Sequence, residues 1–262
     1  MLKRILSAAT LSLLMACATV PITGRRQLAL VPDSEMQTMA ATQYREVLAT
    51  NRLSSNAAAT QQVKSVGQRI QRAVEQYMAQ QNLSDQLEGY QWEFNLIESK
   101  EVNAWCMPGG KVAVYTGILP VMKDEAGMAV VMGHEVAHAI AKHSSERASQ
   151  AMVAQGLGGS LQALAGQNPS TAQNIFLGAV GVGTQLKMLS FGRNQESEAD
   201  RLGLIFMAMA GYDPRTAPGF WERMAAQSQG APPEFLSTHP SDQTRIADIN
   251  ARMPEALSYY KK

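Results

Sequence analysis

Only two cysteines occur in the 262 residues of this chain. Cys17 sits in a lipidation context described below, which leaves Cys106 alone and excludes a fold stapled by internal disulfides. No CxxC or CxxH spacing surrounds Cys106, so a thiol metal ligand is excluded and a buried structural cysteine is expected. Long apolar runs are also missing. Residues 151–189 are rich in Ala, Gly, Leu and Val, but Gln155, Gln162, Gln167, Asn168, Gln173 and Asn174 interrupt every window. A membrane span needs about 20 continuous apolar residues, so a helical hairpin over the active-site helices described below is the expectation. Charge of one sign is lacking too: the formal net charge is +1, which gives no reason to expect a nucleic-acid partner. There are no internal repeats. With 45% hydrophobic and 17% charged residues, the chain can bury one sizeable core.

The N-terminus reads as an export signal. Lys3 and Arg4 precede the apolar run Ile5–Met15, which is too short to cross a bilayer and is followed by small residues. Leu14-Met15-Ala16-Cys17 resembles a bacterial lipobox, implying removal of residues 1–16 as a signal peptide and lipidation of Cys17. Dual acylation there would tether the protein stably, with Ala18 after the cysteine favouring the outer membrane. Residues 17–34, with Pro21, Gly24 and Pro32, read as a lipidated lead-in, and residues 35–262 as one domain.

The most informative stretch is His134-Glu135-Val136-Ala137-His138. Positions i and i+4 of a helix lie one above the other, so both imidazoles can reach one metal ion while Glu135 projects beside it. Zinc lowers the pKa of the water it holds toward 7, and a neighbouring glutamate can then take the proton. The surroundings favour a helix: Glu125 to Ala141 contains no proline, and Asp124 and Glu125 suit the positive end of the helix dipole. Apolar residues enclose the polar triplet, and a buried pair of histidines requires something to satisfy it. His143, five after His138, falls off the ligand face and is expected to end the helix with no catalytic part.

Catalytic zinc needs a third protein ligand and one open position. Arg193-Asn194-Gln195-Glu196-Ser197-Glu198-Ala199-Asp200-Arg201 opens a second apolar helix, stopped by Gly211 and Pro214. Glu196 and Asp200 share a face, while Glu198 points elsewhere. One of that pair could bind the metal, and the other could accept a hydrogen bond from a ligand imidazole.

HExxH followed some sixty residues later by Glu-x-Glu-Ala-Asp resembles the gluzincin metallopeptidases of family forty-eight, a group that includes HtpX-like membrane proteases, CAAX prenyl proteases and BepA/LoiP-type periplasmic lipoproteins. Val102 to Val112, containing Asn103-Ala104-Trp105-Cys106-Met107-Pro108-Gly109-Gly110, looks like that family's Asn-Ala-Phe-x-x-Pro-Gly-Gly segment, with Trp105-Cys106 departing from the usual Phe-Ala. Leu236-Ser237-Thr238-His239-Pro240 with Arg245 looks like its C-terminal segment, and Pro21 to Leu28 resembles a stretch near the start of its lipoprotein members. The resemblance implies zinc ligands His134, His138 and Glu196, with Glu135 as base and Asp200 holding a ligand imidazole. It implies that Asn103 and Ala104 open an edge strand for the substrate backbone. Arg245 and His239 would approach the oxyanion; His239 has a second option, that of a latch that binds the zinc and silences the enzyme, and a third, that of a loop histidine with neither role.

The remaining segments fit an α+β, predominantly helical fold, with the HExxH helix packed on a small sheet. Alternation marks strands at Trp92–Ile97 and Lys111–Thr116 around the turn Pro108-Gly109-Gly110, read as a short antiparallel sheet to which extended peptide could add. Helical spacing covers Ser34 to Thr50, Ala57 to Gln81 with a stripe Val63, Val66, Ile70, Val74 and Tyr77, Thr216 to Gln227, and Pro240 to Met253. By resemblance, the protein is expected to be a zinc endopeptidase of the bacterial envelope, cutting misfolded or unassembled exported and outer-membrane polypeptides, with outer-membrane assembly machinery as a partner. The rival readings are a chaperone-like binder with a latched zinc site, and a lipoprotein that uses zinc only structurally.

Overall fold

The structure, a computed structural model, describes residues 17–20, 22–157, 160–181, 192–227, 233–239 and 243–261. The expected signal peptide and residues 240–242, the expected start of the last helix, lie outside the described residues.

Two strands open the described chain: β1 (Cys17–Thr19) pairs antiparallel with β2 (Arg26–Leu28). The segment read as a lead-in thus forms a hairpin. Helix α1 (Asp33–Thr50) and helix α2 (Ala57–Gln80) follow within a residue of their expected bounds. Asn56 caps α2 by accepting from Ala59 N at 3.0 Å, satisfying one free donor of the first turn. The stripe Val63, Val66, Ile70, Val74 and Tyr77 is buried, as helical periodicity predicts.

The sheet corrects one expectation. Strands β3 (Glu93–Ile97), β4 (Ala104–Met107) and β5 (Lys111–Tyr115) lie in the order β3-β5-β4. β3 runs parallel to β5, and only β4 is antiparallel to it. The Gly109-Gly110 turn joins β4 to β5, both glycines taking the left-handed backbone at φ +80° and +81°. All four residues of β4 are buried, so no polar alternation marked it as a strand. Once β4 occupies the hairpin position, β3 reaches β5 only by a crossover.

Because side chains alternate along β4, the sheet separates two cores. Ala104 and Cys106 enter the larger one, built on α2, α4 (Glu125–Ile140), α8 (Arg193–Met209), α9 (Ala217–Ala226) and α11 (Gln243–Tyr259). Trp105 and Met107 enter the other, built with α1, α5 (His143–Ala154), α6 (Leu161–Gln167) and α7 (Pro169–Val180). The short helices α3 (Leu119–Met122) and α10 (Glu234–Thr238) complete the set among the described residues. Helices α6 and α7 form a helix pair within 151–189, of which 158–159 and 182–189 lie outside the described residues; the pair packs mainly on α5 and α1, not over the active-site helices as expected. Among the described residues no helix is long and apolar enough to cross a membrane.

The last helix runs past Met253 with Pro254 inside it, longer than expected. Proline removes a single backbone bond, and the following turn is held by Arg201 on Glu255 at 2.6 Å and by Tyr77 against Tyr259. Helix α4 starts at Asp124, which accepts from Gly127 N at 2.9 Å. From Gly127 to Ile140 every residue is buried. Its closest partner is α8, and the two meet at glycines. A Cβ on Gly203 would fall 2.9 Å from His134 N, and one on Gly133 would fall 2.9 Å from Gly203 O. Bare backbone at that crossing lets the histidines of one helix reach the carboxylates of the other.

Candidate metal centre

His134 and His138 point from one face of α4 at Glu196 in the first turn of α8. His134 Nε2 lies 3.0 Å from His138 Nε2, and Glu196 Oε1 lies 3.3 Å from His138 Nε2. Glu196 Oε2 is 3.5 Å from His134 Nε2. A fourth donor joins them: His239, just after α10, places Nδ1 3.2 Å from His134 Nε2 and 2.9 Å from Glu196 Oε1. All four residues are buried, and one donor atom of each lies within 4.8 Å of the others. A tetrahedral ion with bonds of about 2.0–2.1 Å spaces its ligand atoms about 3.4 Å apart, so the set fits a divalent metal. Glu135 Oε1 and Glu196 Oε2 are buried without a well-directed hydrogen bond, a costly arrangement unless a cation lies near. Glu196 Oε2 has an ion-pair contact with Arg245 Nη1 at 2.8 Å.

Behind His134 stands Asp200, one turn after Glu196, with Oδ1 3.0 Å from His134 Nδ1. A carboxylate there fixes the proton on Nδ1 and turns the Nε2 lone pair toward the cluster. Arg245 grips Asp200 with two bonds, Nε to Oδ2 at 2.9 Å and Nη2 to Oδ1 at 2.7 Å. Its guanidinium lies 3.5 Å over the ring of Trp221. Burial opposes a proton on His134, but Asp200 and Glu196 outweigh it and raise the pKa to about 9. Burial also disfavours the Glu196 charge, yet His239 and Arg245 hold its carboxyl well below the usual range. Arg245, expected near an oxyanion, here neutralises Asp200 and Glu196.

His143 requires a correction. It does not end the helix of His138. Lys142 adopts the left-handed backbone at φ +59°, breaking the helix, and His143 opens α5 fully buried. That sharp turn folds its ring back, so that Nδ1 lies 2.8 Å from His138 Nδ1 and Nε2 lies 2.9 Å from Glu198 Oε2. Glu198 indeed points away from the His134–His138–Glu196 cluster, but toward a set of its own that is buried at His143 and Glu146 and half-buried at Thr23 and Arg25. Thr23 Oγ1 donates to it, and Arg25 Nε donates to Oε2 at 2.6 Å. Arg25 also meets Glu146 at 2.8 Å, and Gln195 Nε2 donates to the same carboxylate at 2.7 Å. Burial alone would raise the Glu198 pKa; His143, Thr23 and Arg25 lower it to about 2. Sequence reading missed Thr23, Arg25, His143, Glu146, Gln195 and Glu198. One signal was there: α5 opens His143-Ser144-Ser145-Glu146-Arg147, too polar for an interior helix, yet every one of these is buried.

Glu135 lies beside the cluster, Oε1 3.4 Å from His239 Nε2, and burial raises its pKa. Asn103 directly precedes β4, one of the sheet's two outer strands, and its Oδ1 accepts from Ala104 N at 2.8 Å. Phe235 N donates to Val102 O at 3.3 Å, so the segment carrying His239 is pinned beside that strand. Cys106 is buried as expected. Cys17, the expected lipid site, begins β1.

Two histidines and a glutamate converging from two helices, with an unligated glutamate alongside, define the site of a metallopeptidase. The chain belongs to peptidase family M48, whose profile matches residues 64–253. It is 37% identical over 247 residues to the mitochondrial metalloendopeptidase OMA1 of Schizosaccharomyces pombe, covering 90% of this chain and 66% of that protein. It is 38% identical over 180 residues to the OMA1 of Arabidopsis thaliana, covering 67% of this chain and 35% of that one. The β-barrel assembly-enhancing protease of Escherichia coli is 32% identical over 169 residues, 62% of this chain and 34% of that protein. The chain therefore spans about two thirds of the first relative and about a third of the other two. The motifs resembled bacterial envelope lipoproteins; the relatives divide between mitochondrial and bacterial proteases.

Proposed function

We propose that this chain is a zinc-dependent endopeptidase of the bacterial cell envelope, cutting misfolded or unassembled exported and outer-membrane polypeptides and held to the membrane by lipid on Cys17. The observation that carries the chemistry is the convergence of His134, His138 and Glu196 with Glu135 beside them. Zinc held there would supply Lewis acidity toward a peptide carbonyl and toward water. Glu135, whose burial raises its pKa, is placed to take a proton from the attacking water and pass it to the departing amine. Asp200 and His143 hold the two ligand imidazoles in the tautomers that face the metal. β4 offers an edge to an extended polypeptide, beginning at Asn103 and Ala104. The envelope setting draws on the lipobox-like Leu14–Cys17 and on the bacterial relative named for β-barrel assembly, which also suggests outer-membrane assembly machinery as a partner.

Glu135→Gln is expected to keep zinc and to lose casein cleavage by about 10²-fold or more, the usual weight of a general base. Chelator should abolish the wild-type activity. Cleavage by the variant at the wild-type rate would remove Glu135 from the reaction.

His239 favours a second reading of the resting state. Its Nδ1 occupies the position that an open catalytic site leaves free, and the pinned segment 233–239 lies beside the substrate strand. In this state His239 is a latch. His239→Ala is then expected to raise proteolysis several-fold; a fall would make it a catalytic helper. An unchanged, negligible rate, with aggregation of unfolded protein still suppressed, would favour the chaperone-like reading.

A further inference from the structure

Proteolytic chemistry accounts for the His134 side of the centre but not for the chain of polar groups that runs from buried His138 out to half-buried Thr23 and Arg25. We propose that the N-terminal turn carrying Thr23 and Arg25 is part of the metal centre: acting through Glu198 and His143, it positions the His138 imidazole for the metal. All four are positioning residues, and the proposal rests on the metallopeptidase reading.

Tautomers link the chain end to end. His138 Nε2 faces the cluster, so the proton of its neutral ring sits on Nδ1 and is donated to His143 Nδ1 at 2.8 Å. His143 must then carry its own proton on Nε2, which it donates to Glu198 Oε2 at 2.9 Å. The Glu198 carboxylate accepts from Thr23 and Arg25 as well. Arg25 continues with two bonds to Glu146, at 3.1 and 2.8 Å, and Gln195 Oε1 accepts from Gly192 N at 3.1 Å, which ties the chain to the start of α8. That helix carries the ligand Glu196.

The turn is built to reach this place. Gly24 takes φ +71°, and Val20 and the turn close on each other through Gly24 N to Val20 O and Val20 N to Arg25 O, both 2.8 Å. Val20 is fully buried, and beyond β2 the amides of Leu30 and Val31 donate to Ser149 of α5 at 3.0 and 3.1 Å. The turn lies outside residues 64–253, the span matched by the family profile, so the centre recruits residues from beyond that span.

The test is zinc affinity of the full chain, measured by competition with a chromophoric chelator, with metal-free melting and circular dichroism as controls for folding. Arg25→Met and His143→Leu are each expected to weaken zinc binding about 10- to 100-fold, as losses of partners behind ligand histidines do. His143→Gln, whose amide can accept from His138 and donate to Glu198 together, should recover most of that loss. A merely structural role would lower the melting temperature and leave zinc affinity alone. Zinc binding by Arg25→Met as tight as wild type, or no recovery in His143→Gln relative to His143→Leu, overturns the proposal. Arg25 is half-buried, so its variant carries the test even if His143→Leu fails to fold. His134→Ala separates the two readings, since undiminished zinc binding there would overturn the metallopeptidase site itself.

Discussion

His134 and His138 stand one turn apart on α4, yet the groups behind them differ in build. Behind His134 a single carboxylate, Asp200, makes direct contact and is closed off at once by Arg245 and Trp221, both in the interior. Behind His138 a neutral imidazole intervenes, and the charge appears only at Glu198, paired with an arginine whose side chain is 22% exposed. The pKa values diverge accordingly. His134 is raised to about 9 against its burial, whereas His138 is pushed well below the usual histidine range by burial. The candidate metal site thus sets a sealed arm of charges behind one histidine and a longer relay, open at its outer end, behind the other. The sealed arm belongs to the core helices; the relay borrows from a turn some 170 residues away in sequence.

The largest expected difference between the arms is in stability. Arg245→Met leaves Asp200 and Glu196 buried without their cation and should cost about 3–5 kcal/mol, enough to unfold many domains. Arg25→Met removes a partly exposed guanidinium, while Glu198 keeps His143 and Thr23 as donors and Glu146 keeps Gln195, and should cost about 1–2 kcal/mol. Denaturant melts of the two variants measure this contrast, and equal losses would break it. Next comes the crossing that both arms share. Gly203→Ala places a Cβ 2.9 Å from His134 N and should cost about 1–3 kcal/mol while weakening metal binding, because backbone cannot move aside as a side chain can. Gly178→Ala, with nothing within 4 Å, is its control and should be neutral or mildly stabilising.

The smallest effect concerns pH. Glu198 has a folded pKa lowered to about 2 from 4.5, so its ionisation stabilises the fold fully above the higher value. That contribution fades as pH falls toward 2. The stability gap between wild type and Glu198→Gln should therefore be constant above about pH 4.5 and shrink below it. A gap that widened in acid would reverse the assignment.

Much of the sealed arm was legible in the sequence. His134, Glu135 and His138 share a short helical pattern, Glu196 and Asp200 share another, and His239 and Arg245 follow in order; the structure brings all seven together. Helix spacing fixed α1 and α2 for the same reason: period and caps are local. The relay was not legible because each of its links is long-range or depends on one backbone angle. His143 joins His138 only because Lys142 turns left-handed, and Thr23 and Arg25 meet Glu198 only once the β1–β2 hairpin has formed. The parallel pairing of β3 with β5 was hidden likewise, since β4 shows no alternation to mark a third strand.

X-ray absorption at the zinc edge, on the full chain loaded with one equivalent of metal, addresses the centre most directly. The expected spectrum has only nitrogen and oxygen donors at about 2.0–2.1 Å with imidazole scattering behind them, and His134→Ala loses it. A sulfur donor at about 2.3 Å, or zinc that stays bound in His134→Ala with the same spectrum, would contradict a single ion gripped between α4 and α8.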